Sequence, residues 1–138
     1  MARVFLIVMD SVGIGGAPDA DEYFNGDVPD TGANTLLHIA HHCAQGLCDI
    51  ARTGPLHMPH LNRLGLGAAV AQSMGVAAPN LDADQAQGGW GVAYETSKGK
   101  DTPSGHWELA GLTVTWDWGY FPNTVPAFDA QLVRAVCD

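Results

Sequence analysis

Residues 4–9 read "VFLIVM" and are followed at once by Asp10 and the loop "SVGIGGAPD" (residues 11–19). A continuous apolar run with β-branched and aromatic members predicts a strand buried on both faces, as in a parallel sheet covered by helices. The expected fold class is therefore α/β. In open α/β sheets ligands gather just beyond the carboxyl ends of the strands. Asp10 is thus predicted at a favoured position. A carboxylate there is costly unless it is paired or bound to a cation. Its plainest role is a turn or cap aspartate; its functional role is a hard oxygen ligand for Mg²⁺ or Mn²⁺. Gly13 and Gly15 begin a dinucleotide-binding pattern, but Pro18 takes the third glycine position and an acid precedes the loop, so that fingerprint is rejected.

The bulk composition bounds the rest. The chain has 138 residues, 46% hydrophobic and 15% charged, enough for one ordinary domain with a real core. The net charge of -9 repels phosphate backbones and anionic lipid, so neither nucleic acid nor membrane is an expected partner. No stretch approaches the roughly 18 apolar residues of a membrane span. Cys43, Cys48 and Cys137 form no regular framework and read as reduced thiols of a cytoplasmic protein. His38, His41 and His42 lie at helical spacing near Cys43, Cys48, His57 and His60, but no zinc pattern organises them, so hydrogen-bonded or solvated histidines are expected.

Further along, "NTLLHIAHHCAQG" (34–46) predicts a helix capped by Asn34 or Thr35, with Leu36, Leu37, Ile39 and Ala40 on its apolar face. "GPLHMPHLNRLGLG" (54–67) predicts a loop, then a short helix opened by Pro59 and ending near Gly65 to Gly67. Residues 73–89 have no period and are expected to be loop. "GWGVAYETS" (89–97) has strand composition and "LTVTWDWGYF" (112–121) reads as extended. "VPAFDAQLVRAVCD" (125–138) predicts a helix starting after Pro126, with Phe128, Leu132 and Val136 on one face.

Between these lies "SKGKDTPSGHWELAG" (97–111). Thr102 suits an N-cap, Pro103 the first helical position and Gly111 the C-terminal cap. Gly99-Lys100 is followed by Asp101, so the segment is no P-loop. A helix start concentrates free N–H groups and positive dipole, where phosphate is held most easily. A hydroxyl there becomes a nucleophile if a divalent metal lowers its pKa. Lys98 and Lys100 add positive potential in an otherwise acidic chain. Asp10 and Thr102 can therefore be two halves of one site.

The segments "VFLIVMDSVGIGGAPDA" (4–20) and "GKDTPSGHWELAG" (99–111) resemble those of phosphopentomutases, in the alkaline phosphatase superfamily. "NTLLHIAHH" (34–42), residues 54–67 and "WDWGYF" (116–121) fit the same family, in which an Asp is common at the position of Asn34. The resemblance implies an alkaline-phosphatase-like core with a mostly parallel sheet flanked by helices. Residues 1–138 are then the N-terminal part of the metal-binding catalytic core. The cap domain and the rest of the core belong to a missing C-terminal part of the same polypeptide. It also implies an enzyme that interconverts ribose or 2-deoxyribose 1-phosphate and 5-phosphate through a phosphothreonine and a bisphosphate. Its partners are small pentose phosphates, and its cofactors a pair of Mn²⁺ ions, with Mg²⁺ the alternative. Asp10 carries over as a metal ligand and Thr102 as the metal-bridging phosphoryl carrier; His106, Trp107 and Glu108 carry over in support roles. One carboxylate and one threonine are too few to hold two metal ions, so this chain alone is expected to be inactive. Two other readings stay open: another metal-dependent phosphotransferase or phosphatase of the superfamily, and a stand-alone, non-catalytic protein that binds phosphate or a partner.

Overall fold

A computed structural model describes residues 2–99, 102–122 and 124–138, with Thr102 described through its backbone. The chain divides into two compact units, Met1–Ala17 with Thr31–Ala93 and Pro18–Asp30 with Tyr94–Asp138.

The first unit is built from three helices, α1 (Thr35–Ala44), α2 (Pro59–Leu64) and α3 (Leu66–Met74), and a 3-10 turn at Ala83–Gln85. Asn34 caps α1: its Oδ1 accepts from the Leu37 N–H at 2.9 Å, while its Nδ2 donates to the Ile14 carbonyl at 3.2 Å. One buried side chain thus ends a helix and ties down the 11–19 loop. The face that α1 buries is Leu36, Leu37, Ala40 and Cys43. Ile39, expected there, points outward and is 41% exposed. Leu36, Leu37 and Ala40 pack with Val70, Ala78 and Leu81, and Ile14, Leu56, Met58 and Leu66 close the edges of this core.

Pro59 opens α2 as expected, and Gly65 ends it in the left-handed region at φ 115°. A side chain at Gly65 would collide with the Trp90 ring, so both φ and space demand glycine there. The same residue starts α3, which the two glycines of "GLG" conceal in the sequence. Ala68, Ala69 and Val70 of α3 are buried, so packing overrides the weak local propensity.

The second unit holds a short hairpin, β1 (Phe24–Asn25) antiparallel to β2 (Val28–Pro29), with Phe24 opposite Pro29. It also holds α4 (Thr102–Leu109) and α5 (Ala130–Cys137). Trp107 on α4 meets Trp116 and Trp118 at centroid distances of 6.2 and 6.0 Å. Phe121 and Phe128 pack edge to face at 4.7 Å. Helix α5 begins later than expected because Asp129 caps it, its Oδ1 accepting from the N–H groups of Gln131 and Leu132. Phe128 therefore precedes the helix, and Leu132 and Val136 lie on an exposed face.

Two strand expectations, and the parallel sheet, are corrected. Among the described residues, β1 and β2 form the only sheet, and no parallel sheet is present. Residues 4–9 form no strand; Val4, Phe5, Leu6 and Ile7 are 94%, 80%, 73% and 85% exposed. A parallel neighbour reaches a strand only through a crossover of a dozen or more residues. Here no described segment returns beside the run. Residues 89–97 are irregular because the N–H groups of Thr96 and Ser97 go to a side chain, the Glu108 carboxylate, instead of a sheet neighbour. Residues 112–121 form no strand either; Val114 makes one isolated pairing, accepting from the Lys98 N–H at 2.9 Å and donating to Ser97 Oγ at 3.0 Å.

Candidate functional site

Asp10 lies in the first unit and Thr102 in the second. Asp10 is exposed, and its Oδ1 accepts from the N–H of Ser11, which adopts a positive φ of 61°. Asp10 thus sits in a turn, but its bond goes to the next residue's N–H rather than to the one two residues on that an Asx-turn uses. Among the described residues no three His, Cys, Asp or Glu side chains gather as a metal site. The described donors do not by themselves fit a pair of divalent ions, each of which needs several ligands.

Thr102 is the first residue of α4 rather than its N-cap. Lys100, the other expected source of positive potential, and Asp101 lie outside the described residues. Lys98, expected to add positive potential, is ion-paired with Asp117 at 2.9 Å, both side chains being exposed. Gly99, at φ 108°, lies against the Trp118 ring where a Cβ has no room. The Trp118 indole N–H donates to the Lys98 carbonyl at 3.0 Å. An open cavity of about 360 Å³ borders residues 96–99, but Asp19, Glu22 and Asp117 also line it. Three carboxylates make it a poor receptor for a phosphate.

Helix α4 is tied firmly to the segment before it, through contacts that no sequence pattern announces. The Glu108 carboxylate accepts from the Thr96 N–H at 2.9 and 3.1 Å, the Thr96 hydroxyl at 2.9 Å and the Ser97 N–H at 2.7 Å. Hydrogen bonding from the Ser97 side chain, then from Thr96, holds its pKa down to about 2. At the start of the same helix, the buried Ser104 hydroxyl donates to Glu95 Oε1 at 3.0 Å. No spacing rule links a helix residue to amides 11 and 12 positions upstream, so only the fold reveals the contact.

No family model matches the chain. Curated relatives do, and they are enzymes. Phosphopentomutases of Methylobacterium radiotolerans, Hahella chejuensis and Agrobacterium fabrum are 55%, 54% and 51% identical to it over 139, 138 and 140 residues. Each alignment takes in 99% of this chain and 33%, 32% and 33% of the relative. The chain is thus related over its whole length to phosphopentomutases, and it spans about a third of their length.

Proposed function

We propose that this chain is the N-terminal portion of the catalytic core of a phosphopentomutase, interconverting pentose 1- and 5-phosphates. The observation that carries the reading is identity of 51–55% over 99% of the chain to enzymes of that name. In this reading residues 4–9 are an internal strand of an alkaline-phosphatase-like sheet. The remaining strands and the cap domain lie in the two-thirds of the relatives' length outside this chain. The full exposure of residues 4–7 supports that reading over a stand-alone binding protein, which would have to cover them by self-association. Three cysteines free of disulfides suit the cytoplasm.

Thr102 is assigned as the phosphoryl carrier. In the first half-reaction the free hydroxyl oxygen of the sugar monophosphate bonds to phosphorus while the bond from Thr102 Oγ breaks. The hydroxyl proton ends on Thr102, and a sugar bisphosphate forms. In the second half Thr102 attacks the other phosphate, and its proton ends on the sugar oxygen released. A helix start suits this exchange, since its N–H groups and dipole favour the anionic group. A pair of divalent ions, Mn²⁺ or alternatively Mg²⁺, belongs to the proposal, with Asp10 and Thr102 as the ligands from this chain and the outstanding ligands coming from outside it.

The test is Thr102→Ala in the full-length enzyme. We expect complete loss of ribose 1-phosphate to 5-phosphate exchange, and loss of the phosphothreonine from mass spectra of the protein. Wild-type exchange in that variant would sink the assignment. Removing divalent metal with a chelator should abolish exchange, and adding Mn²⁺ back should restore it. Phosphoglycerate or simple phosphate esters outperforming pentose phosphates as substrates would favour another phosphotransferase of the superfamily.

A further inference from the structure

We propose that Glu108 is a positioning residue for phosphoryl transfer at Thr102: from the last turn of α4 it grips the segment that leads into that helix. The inference rests on the reading of Thr102 as phosphoryl carrier. The geometry is specific. Both oxygens of one carboxylate are engaged by two consecutive backbone N–H groups and one hydroxyl, at 2.7–3.1 Å. Hydrogen bonds to an ionised acceptor are roughly twice as strong as neutral ones.

The position of Glu108 argues for a purpose beyond helix stability. A carboxylate in the last turn faces the negative end of the helix dipole, where a cation would be favoured. The pKa of Glu108 is nevertheless held low, so the donors at 96 and 97 outweigh the dipole. What the carboxylate secures is the approach to Thr102. Residues 96 and 97 are fixed to the far end of α4. Lys98 is held by Val114 through its N–H and by Trp118 through its carbonyl. Ser104 is tied to Glu95. Residues on both sides of Thr102 in sequence are thereby anchored to one framework, and a reacting group misplaced by about 1 Å loses about 100-fold in rate.

The experiment is steady-state kinetics of Glu108→Gln in the full-length enzyme, alongside Thr102→Ala and wild type. Gln keeps the shape but replaces one acceptor oxygen with an NH₂ that faces donors. We expect kcat per folded molecule to fall roughly 10- to 100-fold, with KM for ribose 5-phosphate within about twofold of wild type. Hydrogen exchange at the Thr96 and Ser97 amides should accelerate. A merely structural role would lower the melting temperature and leave kcat per folded molecule unchanged, which overturns the proposal. If Glu108→Gln does not fold, Thr96→Val decides. It removes one donor and keeps both amides, and a roughly threefold fall in kcat at unchanged KM supports the clamp, while wild-type kcat overturns it. Failure of the underlying reading is seen separately, as exchange activity that survives Thr102→Ala.

Discussion

Helices α1 and α4 are similar in length but are seated by different chemistry. Helix α1 buries Leu36, Leu37 and Ala40 in an apolar core shared with Val70 of α3. Among the described side chains of α4, Ser104 is the buried one, and the helix is held through Ser104 and Glu108 to oxygen and nitrogen partners. Apolar packing is non-directional and tolerates small shifts of register. A carboxylate clamp on two amides is directional and depends on its charge. The first kind of seating suits a scaffold, and the second suits a helix that presents a reactive group.

Substitutions in the two units should therefore fail in different ways. The largest loss of stability is expected for Leu36→Ala, which empties a fully buried site; urea unfolding should show a cost of about 3 kcal/mol. Asn34→Ala should cost about 1–2 kcal/mol, since it removes the α1 cap and the donor to Ile14. Replacement by Asp keeps the cap but places a carboxylate against the Ile14 carbonyl. It should fall between Ala and wild type.

The clamp in the second unit adds a pH dependence. The folded-state pKa of Glu108, about 2, lies below its ordinary 4.5. Its contribution to stability is therefore complete above pH 4.5 and is lost as pH falls from about 4.5 to about 2. The stability gap between wild type and Glu108→Gln should close over that range. A gap that is constant with pH would remove charge from the account of the clamp. The smallest effect belongs to Lys98→Ala. Its ion pair with Asp117 is solvent-exposed, and the loss should be under about 0.5 kcal/mol and vanish in high salt.

The same contrast explains what the sequence made legible. Helices α1 and α2 carry their own signals, a capping Asn34 and an opening Pro59 with Gly65 behind it, because caps and turns act over a few residues. Helix α3 was hidden because Gly65 and Gly67 look like an ending, and only the buried Val70 face explains it. Residues 89–97 have strand composition, yet the N–H groups of Thr96 and Ser97 are claimed by Glu108 from farther along the chain. For residues 4–9 the composition says what kind of neighbours are needed but not where they come from. At the candidate site, the helix opening at Thr102 was readable from Pro103 and Gly111. The grip of Glu108 on Thr96 and Ser97 was not, since tertiary partners leave no periodic trace.

The exposed run at residues 4–9 also bears on synthesis. On the proposed reading it waits during synthesis for neighbours encoded much later. At roughly 5–20 residues per second, a relative three times this length keeps it waiting for tens of seconds. Six apolar residues with no proline and no charge are the kind of segment that pairs with copies of itself. Arg3 stands immediately before the run and Asp10 immediately after it. Such flanking charges act as gatekeepers against aggregation. Asp10 would then protect the run while the chain is still being made.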